Sequence, residues 1–207
     1  MNGADVARPS SRFPHAARLV AAAAVAAIVL PSLLAPGPAR ADILLSHRDA
    51  QFASGAGNEG FLALGTLLPL LTDGGAGGRH ALRNGDALVT SALLAEGLKA
   101  VVRERRPDGS DRESFPSGHA TAAFAIATMQ GQEHPRTAAL WYAGAALIAD
   151  SRVVLHRHYW HDILAGAALG IGTALVEIHQ PRGLLIAPVY PGDHHHPGAQ
   201  IGFGLAL

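Results

Sequence analysis

Apolar residues along this chain come in separated blocks, and the spacing within each points to helices until the last thirty residues. The first block, Leu19 to Leu30, is unbroken for twelve residues and is closed by Pro31. A second, Phe61 to Leu71, carries Pro69 and runs into Thr72-Asp73-Gly74-Gly75. Asp86 is the expected N-cap of a helix reaching about Val102, with Leu88, Leu93, Leu94 and Leu98 as its apolar stripe. Further helices are expected from Ser117 to about Met129, from Thr137 to Ala149, and over 163–176. Gly74 to Gly78 reads as a flexible loop, Arg103 to Glu113 as a charged one, and Gly131 to Pro135 as a break. After Pro181, Leu184–Tyr190 and Gln200–Leu207 resemble strands, the second placing Ile201, Phe203, Leu205 and Leu207 at alternate positions. The expected architecture is all-α: about five core helices over 42–182, followed by a β-hairpin over 183–207.

Block length separates two settings for these helices. The inner apolar runs, 61–71, 137–149 and 163–176, are shorter than the ~20 residues that span a bilayer, which favours buried core helices. Six short spans are the competing reading. The first block has a different context. Arg8, Arg12 and Arg18 precede it, and Ala39-Arg40-Ala41 follows with small residues at both positions a signal peptidase reads. Residues 1–41 are therefore expected to be a secretory signal, with an uncleaved anchor as the alternative. The chain is expected to be exported to the periplasm as a soluble or membrane-associated protein, with integral insertion in the inner membrane as the alternative.

Composition then removes several chemistries. The 207 residues include no cysteine, which excludes disulfides, thiolate metal sites and a cysteine nucleophile. Sixteen basic residues balance sixteen acidic ones, so there is no electrostatic footprint for nucleic acid. Removing 1–41 leaves 12 basic and 15 acidic residues. The sole lysine is Lys99.

The remaining polar residues gather beside helix ends. Lys99 and Arg106, with Arg106 preceding Pro107, form one cluster, able to grip an oxyanion through a point charge and a planar fork. Their plain structural account is that basic side chains complement a helix C-terminus. Pro116-Ser117-Gly118-His119 form the second. A Ser117 cap, free first-turn amides and a glycine that admits close approach make an anion site, with His119 beside it to move a proton. The bland account is an ordinary cap with a surface histidine. The third is Ser151-Arg152, then His158 and Asp162. Four residues apart on a helix, His158 and Asp162 would share a face, and the carboxylate would fix the imidazole tautomer. They also fit a simple surface pair. Together the clusters supply three cations, an amide cradle and two histidines, an inventory suited to phosphoryl transfer to histidine.

KAVVRERRP (99–107), PSGH (116–119) and SRVVLHRHYWHD (151–162) resemble the three-part signature of the type-2 phosphatidic acid phosphatase and vanadium haloperoxidase superfamily. The resemblance covers roughly 86–178, and all three parts are complete and in order. It implies a helical core with a phosphate or vanadate pocket between helices. His158 would be the nucleophile that becomes phosphohistidine, Asp162 would orient it, and His119 would be the general acid and later the base. Lys99, Arg106 and Arg152 would hold the phosphate oxygens, helped by Ser117 and the Gly118 amide. The implied activity is metal-independent hydrolysis of phosphomonoesters: lipid phosphates such as phosphatidic acid or isoprenyl pyrophosphate, or small phosphate esters. No cofactor is implied, and vanadate would act as inhibitor or phosphate mimic. A vanadate-dependent haloperoxidase and a non-catalytic phosphate- or lipid-binding envelope protein are the alternatives.

Histidines outside the signature suggest a metal site. His156, His158 and His161 crowd one stretch, and His194-His195-His196 form a triplet. Against a catalytic metal, the chain beyond residue 41 shows no second carboxylate–histidine cluster along the sequence to complete a site. Tyr159 and Trp160 are candidates for the pocket wall or for packing between helices.

Overall fold

A computed structural model of the chain describes residues 45–180 and 183–185. Seven α-helices follow one another: α1 His47–Ser54, α2 Ala56–Leu67, the single-turn α3 Pro69–Thr72, α4 Gly77–Val102, α5 Gly118–Glu133, α6 Ala138–Val154 and α7 Trp160–His179. A 3-10 turn, Gly74–Ala76, links α3 to α4. The all-α expectation holds for this part of the chain, and no strand occurs among the described residues. The expected signal over 1–41 lies outside the described residues, as does the expected hairpin apart from 183–185.

Helix α5 is the axis of the bundle. Every residue from Ala120 to Gly131 is buried, because α4, α6 and α7 all pack around it. A helix that is apolar or small on all sides can only be satisfied in such a position. Its alanines lower the contact area per residue but let neighbouring backbones come close. Gly166 and Gly170 of α7 show how close: a Cβ at Gly170 would lie 2.1 Å from the Thr121 carbonyl oxygen, and one at Gly166 would lie 2.6 Å from that of Ser117. Larger side chains fill the other side, where Phe124, Ile126, Trp141, Tyr142, Ile148 and Ile163 form the main apolar core. Phe61 meets Trp141 edge-on at 5.1 Å, an arrangement favoured by the ring quadrupoles. Buried polar groups within this core are paired where they meet: the Thr128 and Tyr142 hydroxyls lie 3.0 Å apart.

Helix α4 departs most from expectation. It begins at Gly77, nine residues before Asp86, so Asp86 is not an N-cap. Its carboxylate is buried within the helix and accepts from the Leu184 and Leu185 amides and from the Thr90 hydroxyl. The stretch read as a flexible glycine loop is likewise structured, since Gly77 seats against the Pro69 backbone too closely for any Cβ. Of the leucine stripe, Leu88 packs against the main core while the rest faces outward. Leu93 is 60% exposed, and Leu94 and Leu98 are exposed as well, whereas Ala81, Asn84, Ala87, Ser91 and Ala95 face the core. Small residues win the inner face because α5 leaves no depth for leucine. Asn84 then finds partners there, donating to the Gly65 carbonyl at 3.0 Å and the Glu133 carboxylate at 3.1 Å.

Other boundaries also run past the expected ones. α5 continues through Gly131 to Glu133, α6 extends to Val154, and α7 starts at Trp160. Among the described residues, α7 is the one helix long and apolar enough to cross a membrane by length and composition. An apolar cavity of about 770 Å³ lies between α2 and the start of α6, bordered by Phe61, Leu64, Leu68, Leu140 and Trp141.

Candidate active site

The three clusters seen along the sequence meet at one end of the bundle. Lys99 lies in the last turn of α4, Ser117 to His119 at the start of α5, Arg152 near the end of α6, and His158 and Asp162 at the turn into α7. The loop 103–116 closes over them. It is fastened by Asp108 N donating to the His156 carbonyl, Ser114 N to that of Glu104 and Ser117 N to that of Asp162. Ser117 caps α5 as expected, accepting from the Ala120 amide.

His158 does not sit on a helix with Asp162. It lies in the turn after α6, while Asp162 is the third residue of α7. Their closest approach, Nδ1 to Oδ2, is 3.6 Å, beyond hydrogen-bond range. The direct partner of Nδ1 is the Ser114 carbonyl at 2.7 Å. Because a carbonyl only accepts, this contact puts the neutral ring's proton on Nδ1 and the lone pair on Nε2. Asp162 acts one step away. Its Oδ2 accepts from the Ser114 hydroxyl at 2.5 Å and from the Tyr159 amide at 2.8 Å, fixing both segments that flank His158.

Nε2 of His158 faces Arg106, whose Nη1 donates to it at 3.2 Å and also to the Arg157 carbonyl. Arg106 is itself held by Asp111, Nε to Oδ1 at 2.6 Å. On the opposite side Ser54, at the end of α1, joins two more site residues: its carbonyl accepts from His119 Nε2 at 3.1 Å, and its hydroxyl accepts from Arg152 Nη1. Nε of Arg152 is buried with no hydrogen-bond partner. Lys99 pairs with Glu96 at 2.6 Å, and its Nζ lies 3.4 Å from where a Cβ at Gly118 would stand. Glycine at 118 therefore keeps the helix N-terminus open beside the ammonium.

Burial, reinforced by this crowding of cations, sets the proton affinities of the histidines. Burial, then Arg152, holds the His119 imidazole down at about 4. Burial also lowers His158, reinforced by Arg106 and Arg152 against the opposing effect of Asp162. Arg152 itself is brought down to about 10 by burial and by the neighbouring Arg106 and Arg157. Burial pushes the Asp162 carboxyl up, but His158, Ser114 and the Tyr159 amide outweigh it and keep it below the usual carboxylate range. The site is neutral in its histidines and positive in its arginines and lysine, an environment that selects an anion.

All eight residues expected from the signature reach this end of the bundle. Sequence reasoning missed Ser54, Glu96, Asp111 and above all Ser114. Ser114 stands just outside PSGH, and a serine in a polar loop carries no signal until the fold turns its carbonyl toward His158. His161 faces Glu104 at 2.9 Å and Asp162 at 3.2 Å, so these three side chains could also accept a cation at the edge of the site. Its ring stacks on Tyr159 at 5.3 Å, so Tyr159 and Trp160 pack around His161.

Comparison with known proteins finds relatives over part of the chain. The chain is 43% identical over 70 residues to a lipid A 1-phosphatase of Porphyromonas gingivalis, covering 32% of this chain and 16% of that one. It is 33% identical over 104 residues to a lipid A 1-phosphatase of Rhizobium johnstonii, covering 43% of each chain. A third, from Rhizobium etli, is 33% identical over 98 residues, covering 40% of this chain and 42% of its own. The matched stretches span less than half the length of each of these relatives. No solved structure gives a significant match. The family model described as the PAP2 superfamily matches residues 82–185, half of the chain and every residue of the three clusters, and the chain belongs to that superfamily.

Proposed function

We propose that the chain is a phosphatase of lipid phosphates that works through a phosphohistidine on His158, without a catalytic metal. One observation carries this reading: His158 is anchored through Nδ1 on the Ser114 carbonyl, so its Nε2 lone pair is presented to Arg106 in a site ringed by cations. A phosphate arriving there would take over the arginine. Its oxygens would meet Arg106, Arg152, Lys99 and the first amides of α5 near Gly118. A buried donor without a partner costs about 1–3 kcal/mol, and a phosphate oxygen would satisfy Nε of Arg152.

The steps balance with these residues alone. Nε2 of His158 attacks phosphorus as the P–O bond to the alcohol breaks, and protonated His119 gives its proton to the leaving oxygen. Water then attacks phosphorus, the P–N bond breaks with its electrons returning to Nε2, and His119 regains a proton from the water. Bound phosphate supplies the negative charge that raises His119 from its low value into the range where it can act as the acid. Asp162 works through Ser114, holding the carbonyl that orients His158.

The names of the three relatives support a lipid A-type sugar phosphate as the leading substrate. Other lipid phosphates, phosphatidic acid and isoprenyl pyrophosphate among them, also present a terminal phosphoryl group. Residues 1–41 are proposed to export the chain to the periplasm, where the outward leucines of α4 would rest on a membrane surface. The test is phosphate release by purified chain from lipid A 1-phosphate, phosphatidic acid and a chromogenic phosphate ester. Turnover is expected on the lipids, with His158→Ala lower by roughly a thousandfold or more while the helical signal by circular dichroism is retained. Unchanged turnover in that variant would remove the assigned nucleophile.

A further inference from the structure

At the far end of α5 from His119, a second group of histidines and carboxylates converges from three separate segments. Asp73 lies in the turn after α3, His80 in the first turns of α4, and Glu133 and His134 at the C-terminal end of α5. We propose that Asp73, Glu133 and His134 bind a divalent cation of the zinc or manganese class, with His80 as the positioning residue for Asp73. The site is distinct from the phosphatase centre and its role is structural: it ties the start of α4 to the end of α5.

Geometry is the first support. One donor atom from each of Asp73, Glu133 and His134 can be chosen so that all lie within 4.8 Å of one another, close enough to share one ion. The donor set is one imidazole nitrogen and two carboxylates, which suits zinc or manganese. The second support is what the atoms do without an ion. His134 Nε2 is buried and has no hydrogen-bond partner, although Asp73 Oδ1 is only 3.3 Å away. The two atoms stand at ion-pair distance without a hydrogen bond between them, and Asp73 Oδ1 also accepts from the Thr72 hydroxyl at 2.6 Å. The third is the surroundings of Asp73. Its other oxygen, Oδ2, is held by His80 Nδ1 at 2.5 Å, the outer contact that orients a carboxylate ligand. Asn84 does the same for Glu133, donating to Oε2 at 3.1 Å.

Along the sequence Asp73 stands sixty positions before the adjacent Glu133 and His134, so the set of three is assembled only by the fold. Folding α4 back along α5 creates it.

The test uses the exported chain with His194, His195 and His196 all changed to alanine, so that the triplet cannot contribute. Chelator-stripped protein is titrated with Zn2+ and with Mn2+ by calorimetry, and its thermal midpoint is followed with and without the metal. One ion per chain is expected, at micromolar affinity or tighter, with a higher midpoint in the metal. Affinity should fall at least tenfold in the near-isosteric Glu133→Gln and disappear in His134→Ala. Cobalt absorption bands present in the parent chain and lost in Glu133→Gln provide a reading that does not depend on stability. No binding below millimolar metal would overturn the assignment. So would equal binding by both variants, or binding lost instead on His161→Ala, which would place the ion beside Asp162. Phosphate release before and after chelation is measured in parallel. It reads the reaction centre, so either proposal can fail without the other.

Discussion

The two ends of α5 hold histidines in opposite company. At the N-terminal end His119 and His158 sit among Arg106, Arg152 and Lys99, and burial with these cations drives their proton affinity down. At the C-terminal end His80 and His134 sit among Asp73 and Glu133. The same side chain would therefore serve opposite ends: in the proposed roles, neutral beside cations it would receive a phosphoryl group, and beside carboxylates it would complete a set of electron-pair donors. What differs is the charge the fold brings to it, and the helix itself contributes in the same sense, positive at Gly118 and negative at Glu133.

The largest effect that would break this comparison, after loss of His158, is removal of a cation from the N-terminal end. Arg152→Ala should lower kcat/KM by about 10²- to 10³-fold, the usual cost of deleting one group that stabilises developing charge. It should also let the His119 proton affinity rise, readable by NMR titration of the imidazole. An unchanged kcat/KM would mean that the Arg152 guanidinium does not meet the phosphate.

A scaffold change comes next. Gly170→Ala would set a methyl 2.1 Å from the Thr121 carbonyl oxygen and force α7 off α5. Overpacking of this kind costs about 1–3 kcal/mol, so calorimetry should show a midpoint lower by several degrees. Ser114→Ala sharpens the comparison more finely. The main-chain acceptor of His158 stays while the Asp162 contact is lost, so kcat is expected to fall about tenfold with KM little changed, a loss near that of one buried hydrogen bond to a charged group. A threonine at 114, which keeps the hydroxyl, should restore most of it.

The smallest effect is on stability with pH. His119 is held at about 4 in the folded chain against 6.5 in an unfolded one, so between these values the unfolded state binds more protons. The N-terminal end thus contributes stability that is present above pH 6.5 and is lost as pH falls toward 4. Thermal midpoints should drop over that window, and saturating inorganic phosphate should flatten the decline.

Much of the candidate site was readable before any fold was known, because its residue types lie in three short stretches with fixed spacing. Lys99, Arg106, His119, Arg152, His158 and Asp162 could be named, and so could the Ser117 cap. The relation between His158 and Asp162 could not. Spacing of four suggested a shared helical face, whereas the chain leaves α6 after Val154 and places Ser114 between them. The buried face of α4 is not legible in the sequence for a related reason. Leucine spacing identifies a stripe but not which side has room, and the buried face of α4 is built mostly of small residues, Gly77, Ala81, Ala87, Ser91 and Ala95, with Asn84 and Asp86.

By itself, then, the sequence determined the helical class, the absence of cysteine chemistry, and the residue types gathered in the candidate site, since composition and short-range spacing encode these directly. Tertiary structure decided which neighbour orients His158, which face of α4 is buried, and that Asp73 meets His134. Those outcomes depend on contacts between segments tens of residues apart, set by how closely small side chains let the helices approach.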